Sequence, residues 1–361
     1  MRTILHAEKF LLLACVVAVA GYAFDARSGG HGQLVSLLET AVLIAAILGA
    51  SLSVARHAER IAQKLGDPYG SMILTLSAVL VEVIVLGIIS AKSGSPTLVR
   101  DSIYSAVMLD INGILGVAAL LGGFKHGEQS YNDDSARTYS VMILTAVTVS
   151  MIIPEFVPQP SWRAYSGFTI VVMLLFYGVF LRMQTGPHSY FFSYSYPDKK
   201  TRQPLPPGGY PSRRQSIAVM AAGIIAVGFL AELLSHSLDG SLTGANVPPG
   251  LVAFIVAGIS AAPEMLTALR AALANRMQSV VNIALGASLS TVILTVPAME
   301  AMALISGQRI VMAMTPLQTL MMLVTLLVAA INLNDGQTNA IEGMTHFVLF
   351  GAFLMLLTLG L

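Results

Sequence analysis

Charge is what this sequence has least of. Only 11% of its 361 residues are Asp, Glu, Lys or Arg, where a soluble domain carries roughly 25%. So few charges cannot cover a water-facing surface, and lipid must be the main solvent. Cysteine is nearly absent as well. The single Cys15, set in an apolar run, excludes a disulfide framework and a thiolate metal centre, and reads as a small apolar filler. Twenty basic residues balance nineteen acidic ones, and a net charge of +1 gives no footprint for nucleic acid. No H-E-x-x-H occurs and only one Asp, Asp110, falls mid-span, which argues against metallo- and aspartyl intramembrane proteases. A P-loop and a G-x-S-x-G elbow are also missing, which disfavours nucleotide-driven pumps and membrane hydrolases. The expectation is a protein that is not an enzyme and needs no cofactor.

What remains is apolar: 55% of residues are hydrophobic, with mean hydropathy +0.75. Runs of about 20 apolar residues mark membrane helices. Eleven are expected, at 7–24, 34–57, 69–92, 99–124, 137–156, 164–184, 214–237, 247–272, 277–303, 313–332 and 340–360. The basic–apolar–GYAFDA order at the start also fits a secretory signal, but Phe10–Phe24 is long for one and is read as a first span. Segment 185–213, rich in Pro, Gly and basic residues, reads as a cytoplasmic connector. With the N-terminus in the cytoplasm, fifteen of the twenty Lys and Arg fall inside and five outside. The expected location is the cell inner membrane, in contact with lipid, and a homo-oligomer is compatible with this reading.

The expected fold class is an all-α polytopic membrane protein: an N-terminal helix at 1–30, a five-helix repeat at 31–184, the connector, and a second five-helix repeat at 214–361. Five spans per half make the halves cross in opposite senses, the arrangement of inverted-repeat transporters. Each half carries one glutamate mid-way along an otherwise uncharged span: Glu82 in LTLSAVLVEVIVLGII and Glu264 in LVAFIVAGISAAPEMLTAL. An ionisable side chain at membrane depth is costly and by default marks an ion or proton path. An acidic residue precedes each, Glu59 by 23 positions and Glu232 by 32. These two are candidates for a proton path or gate.

Helical spacing puts Ala78, Thr75 and Ser71 on the face of Glu82, and Ser260, Ala257 and Ala253 on that of Glu264, with Thr267 one turn on. Small and hydroxyl residues leave room for an ion and supply neutral oxygens, although they also serve close helix packing. Pro263 deprives the Ile259 carbonyl of its helical donor, and a freed carbonyl in the bilayer must find another donor or a cation. The helices that follow add Ser102, Ser105 and Asn112, then Asn282, Ser288 and Thr291. Asp110 lies about 200° around the helix from Asn112 and is expected to face elsewhere, on a proton path or beside a basic group. Two carboxylates in a low-dielectric site cannot both stay ionised and empty. One divalent cation, two protons or two monovalent cations neutralise the pair equally well, and exchange follows if only the loaded protein reorients.

At these residues the chain resembles the calcium/cation exchanger superfamily, and within it the bacterial calcium (or sodium)/proton antiporters. HAERIAQKLGDPYGSMILTLSAVLVEV with SAVMLDINGILG resembles that family's first alpha-repeat. GISAAPEMLTALRAALANRMQSVVNIALGASLSTVILTVP resembles the second, and FKHGEQ also looks like the bacterial branch. The resemblance implies that Glu82 and Glu264 are the metal and proton ligands, that Asn112 and Ser288 support them, and that Glu59 and Glu232 match acidic positions leading into each repeat. It implies calcium, sodium or potassium, together with protons, as the transported ions. The family's G-N pairs are here Ala78-Val79 and Ser260-Ala261, and Met265 stands where calcium-selective members often have histidine. Calcium selectivity is therefore in doubt, and sodium or potassium stays open. A channel would show a filter loop such as TVGYG, and an organic-solute transporter would place aromatic or basic groups near the glutamates. Neither is seen, and both stand as alternatives. His57 and His126 read as surface residues, His236 and His346 as interfacial ones.

Overall fold

In the computed structural model, described over residues 8–25, 33–65, 69–186, 189–192, 213–242 and 248–361, helices account for nearly all of the described residues. They are α1 (Lys9–Asp25), α2 (Gln33–Leu65), α3 (Tyr69–Ser93) and α4 (Leu98–His126). Then come α5 (Asp133–Phe156), α6 (Gln159–Thr185), α7 (Arg213–Leu242) and α8 (Pro249–Leu273). Last are α9 (Met277–Ser306), α10 (Pro316–Asn332) and α11 (Ala340–Thr358). Among the described residues nine of these contain stretches long and apolar enough to cross a membrane, and α1 and α10 are shorter apolar helices. Most of the connector lies outside the described residues.

Local chemistry sets the helix ends. The Asn132 side chain accepts from Asp134 N–H to start α5, and Asn339 accepts from Ile341 and Glu342 N–H to start α11. Thr315 and Gln318 form a reciprocal capping box, with Pro316 in the first turn of α10. A two-residue antiparallel ladder, Gln129↔Thr338 and Ser130↔Gln337, ties the α4–α5 loop to the α10–α11 loop.

Contacts along the helices fix their relative sense. Thr40 meets Ser237 at 2.8 Å, whereas a Cβ on Gly223 would meet Val54, so α2 and α7 pack antiparallel. Glu82 lies beside Thr291 and Thr295 and Gly87 beside Met302, so α3 and α9 run the same way. Helix α4 runs alongside α10, with Gln318 donating to Asp101 and Asn112 to Thr325. The His126 end of α4 reaches Leu273, the end of α8. Helix α11 crosses α4 at very close range: a Cβ on Gly123 would strike the backbone of Ala340, and one on Gly343 the backbone of Leu120. Small residues at such crossings let two backbones approach within the membrane.

Helices α4 and α9 share a further feature. Each loosens mid-way into a wide π-helical turn, at Leu109–Leu115 in α4 and Thr291–Thr295 in α9, as α5 also does at Thr148–Ile152. Turns of this kind occur often at functional sites. Here they hold Asp110 in one helix and the two threonines beside Glu82 in the other.

A candidate cation and proton site

Glu82 projects from α3 toward the wide turn of α9. Thr291 Oγ1 and Thr295 Oγ1 each donate to its Oε2 at 3.0 Å. The two threonines stand one turn apart on the same face, which is why both reach one oxygen. Glu264, on α8, is half-buried and, among the described residues, accepts no hydrogen bond. Asp110, on α4, is 2% exposed. Ser288 Oγ donates to its Oδ2 at 3.2 Å, while its Oδ1 is buried without a partner. Asp110 interacts electrostatically with Glu264 and then Glu82, and Glu264 interacts with Glu82. Three carboxyls from α3, α4 and α8 therefore lie within reach of one another's charge. Ionised and empty together, they would repel strongly at low dielectric.

Asp110 and Asn112 lie on opposed sides of α4 and meet different neighbours. The Asn112 amide donates to Thr325 Oγ1 at 2.7 Å and accepts from His346 Nδ1 at 3.0 Å. It is committed to α10 and α11, and Asp110 takes the side nearer the glutamates. The physical reason is a buried partner set that hydropathy concealed. His346 is 2% exposed and sits inside the bundle, not at its interface.

Ser288 reaches the cluster through Asp110. Ser260 lines a cavity of about 10 Å³ together with Glu82, Ser102 and Val256, room for roughly one water-sized occupant. Its own hydroxyl donates to the Ala257 carbonyl at 2.9 Å. Among the described residues, the hydroxyl oxygens of Ser102 and Ser105 are buried without partners. Thr75 is half-buried on α3, two turns from Glu82, and among the described residues no hydrogen bond joins them. Asn282 is engaged elsewhere, by Gln278 and the Phe192 carbonyl. Pro263 stands within a continuous α8, and Thr267 Oγ1 donates to the Pro263 carbonyl at 2.8 Å. Among the described residues, no three His, Cys, Asp or Glu side chains are arranged as a ready-made metal cage.

The flanking acids lie apart from this cluster. Glu59 is exposed on α2. Glu232 accepts from Tyr22 at 2.7 Å and Lys92 at 3.0 Å, and Lys92 also contacts His236 at 2.9 Å. This group joins α1, α3 and α7 about 15 Å along α3 from Glu82, at 1.5 Å per residue. Three buried acids among the described residues escaped the sequence reading: Asp101, held by Arg100 and Gln318, and then Glu8 and Glu300. Glu8 accepts from Ser53 at 2.7 Å and pairs with His57 at 2.9 Å. His57 is therefore 2% exposed and not a surface residue. Glu300, inside α9, is 3% exposed. The signal for it was a lone carboxylate in the apolar run VPAMEAMALIS.

The sodium/calcium exchanger protein family model matches residues 35–186 and 215–359. This chain belongs to that family. It is 33% identical over 316 residues to the sodium-potassium/proton antiporter ChaA of Escherichia coli, covering 86% of each protein. It is 31% identical over 356 residues to y4hA of Sinorhizobium fredii, covering 96% of this chain and 94% of that protein. The fold also matches the solved structure of native YfkE, with TM-score 0.78 at 20% identity over 97% of this chain and 99% of that one. The chain is thus an all-α, multi-pass membrane protein, and its fold is that of YfkE.

Proposed function

We propose that this exchanger is a secondary transporter that swaps a metal cation for protons by alternating access at Glu82, Glu264 and Asp110. The observation that supports the proposal is that carboxyls from three separate helices act on one another electrostatically, one of them buried with an oxygen unpartnered among the described residues. Buried carboxyls must be neutralised, and only a cation or a proton does so without a basic side chain. Protons and metal therefore compete for the same oxygens. The empty, fully ionised state is the costly one, so crossing is confined to loaded forms and the two ions are exchanged.

In this reading the threonines of α9 hold Glu82 oriented, and Ser288 holds Asp110. A hard cation would complete its shell with hydroxyls of Ser260 and Ser102, backbone carbonyls and water, since calcium takes 6–8 oxygens. The third carboxyl matters for selectivity. Three negative charges favour a divalent ion carried with a proton, or several monovalent ions, over one monovalent ion alone. Calcium remains a candidate substrate, and so do sodium and potassium. ChaA of E. coli is named for sodium, potassium and protons, and the relative from Aphanothece halophytica for calcium and protons.

The division into repeats at 31–184 and 214–361 is supported by antiparallel α2 and α7 and by paired wide turns in α4 and α9. The basic residues favour the inner membrane with the N-terminus in the cytoplasm. The decisive experiment imposes a pH gradient on everted vesicles and adds calcium, sodium, potassium or magnesium separately. At least one should collapse the gradient in the wild type and not in Glu82→Gln or Glu264→Gln. No response to any cation would overturn the proposal.

A further inference from the structure

Glu300 stands outside the three-carboxyl cluster. It lies in α9, five residues beyond Thr295, or about 7.5 Å along the axis at 1.5 Å per residue, and on a different face. There α9 packs against α6, and Ser166 Oγ of α6 donates to Glu300 Oε1 at 3.4 Å. The other oxygen, Oε2, is buried and has no partner among the described residues. Tyr165 interacts electrostatically with Glu300, and its hydroxyl is already donated to the Val149 carbonyl at 2.6 Å. No Lys, Arg or His is paired with Glu300 among the described residues.

A packing role does not call for a carboxyl, and a buried, unpaired carboxylate is among the costliest groups a membrane helix can carry. One weak hydroxyl donor is too few oxygens and too little charge for a metal ion, but the arrangement suits a proton. The location fits as well. Glu300 is six residues from Ser306, the end of α9, so it stands between that end of the bundle and the Thr295–Glu82 contact. We infer that Glu300 is a second proton-binding group of the exchanger, a station that loads and releases a proton on the way between that end and the carboxyl cluster, without binding the metal. Loading forms one O–H bond on its carboxylate as hydronium becomes water, and release reverses this.

The inference rests on the proposed cation/proton exchange, and the test separates the two. Reconstituted vesicles are assayed in two modes: proton-driven uptake of the cation the wild type accepts, and exchange of labelled for unlabelled cation with no pH gradient. The second mode moves no protons. Glu300→Gln keeps the shape and the Ser166 contact but cannot exchange a proton. It should slow the proton-driven mode by at least tenfold while cation–cation exchange stays within twofold of wild type, and Glu300→Asp should restore much of the proton-driven rate. Equal rates for Glu300→Gln and wild type in both modes would overturn the inference, as would parallel loss of both modes. Failure of the wild type itself in the proton-driven mode would count against the exchange reading instead.

Discussion

At the scale of single residues, Asp110 distinguishes this site from a simple pair of glutamates. It feels the charge of both of them, and Ser288 is its one hydrogen-bond donor among the described residues. Asp110→Asn should weaken divalent-cation binding by at least about tenfold, or about 1.4 kcal/mol, as measured by calorimetric titration in detergent. Unchanged affinity would place Asp110 outside the site. Glu8 offers a separate test, at the start of α1. Burial pushes its pKa up, but hydrogen bonds from Ser53 and His57 and the charges of His57 and Arg56 outweigh this and hold it below its ordinary 4.5. A lowered carboxyl stabilises the fold in full above the unfolded value and loses that contribution as pH falls through the folded one. The thermal stability gap between wild type and Glu8→Gln should therefore be widest near neutral pH and close in acid. A gap that stays constant with pH would show that Glu8 acts by packing alone.

At the scale of elements, most of the architecture could be read from the sequence, because lipid leaves little latitude. Every backbone group must be paired within a helix, so apolar length and Gly, Pro and Asn punctuation located α1–α11 to within a few residues at most ends. Glu82 and Glu264 were legible for the same reason, as lone charges in apolar runs. Asp110 and Asn112 were not, since helical spacing separates two faces but cannot say which face meets which neighbour. That depended on His346 and Thr325 coming from distant helices to satisfy Asn112. Glu300 was hidden by lying near a span end, where a carboxylate usually reaches water. The α4–α11 crossing makes its own prediction. Gly343→Leu must push the backbones apart, because a single Cβ there already meets Leu120. It should cost several kcal/mol, by analogy with overpacked cores, and lower the melting temperature in detergent, while the exposed Val348→Leu should change it little.

At the scale of the whole molecule, the proposed coupling of metal to protons rests on the electrostatics of the carboxyl cluster. A carboxyl site at membrane depth is cheap to move only when neutralised, and in the proposed exchange metal and protons would neutralise it in alternation. Alkaline conditions should therefore raise apparent cation affinity, because fewer protons hold the site. Cation affinity independent of pH would contradict shared occupancy. The most direct measurement follows protons released when the transported cation is added to purified protein in weakly buffered detergent solution. The wild type should release protons in proportion to cation bound, and Glu82→Gln and Glu264→Gln should release few or none. Stoichiometric cation binding by the wild type with no proton release would contradict the account.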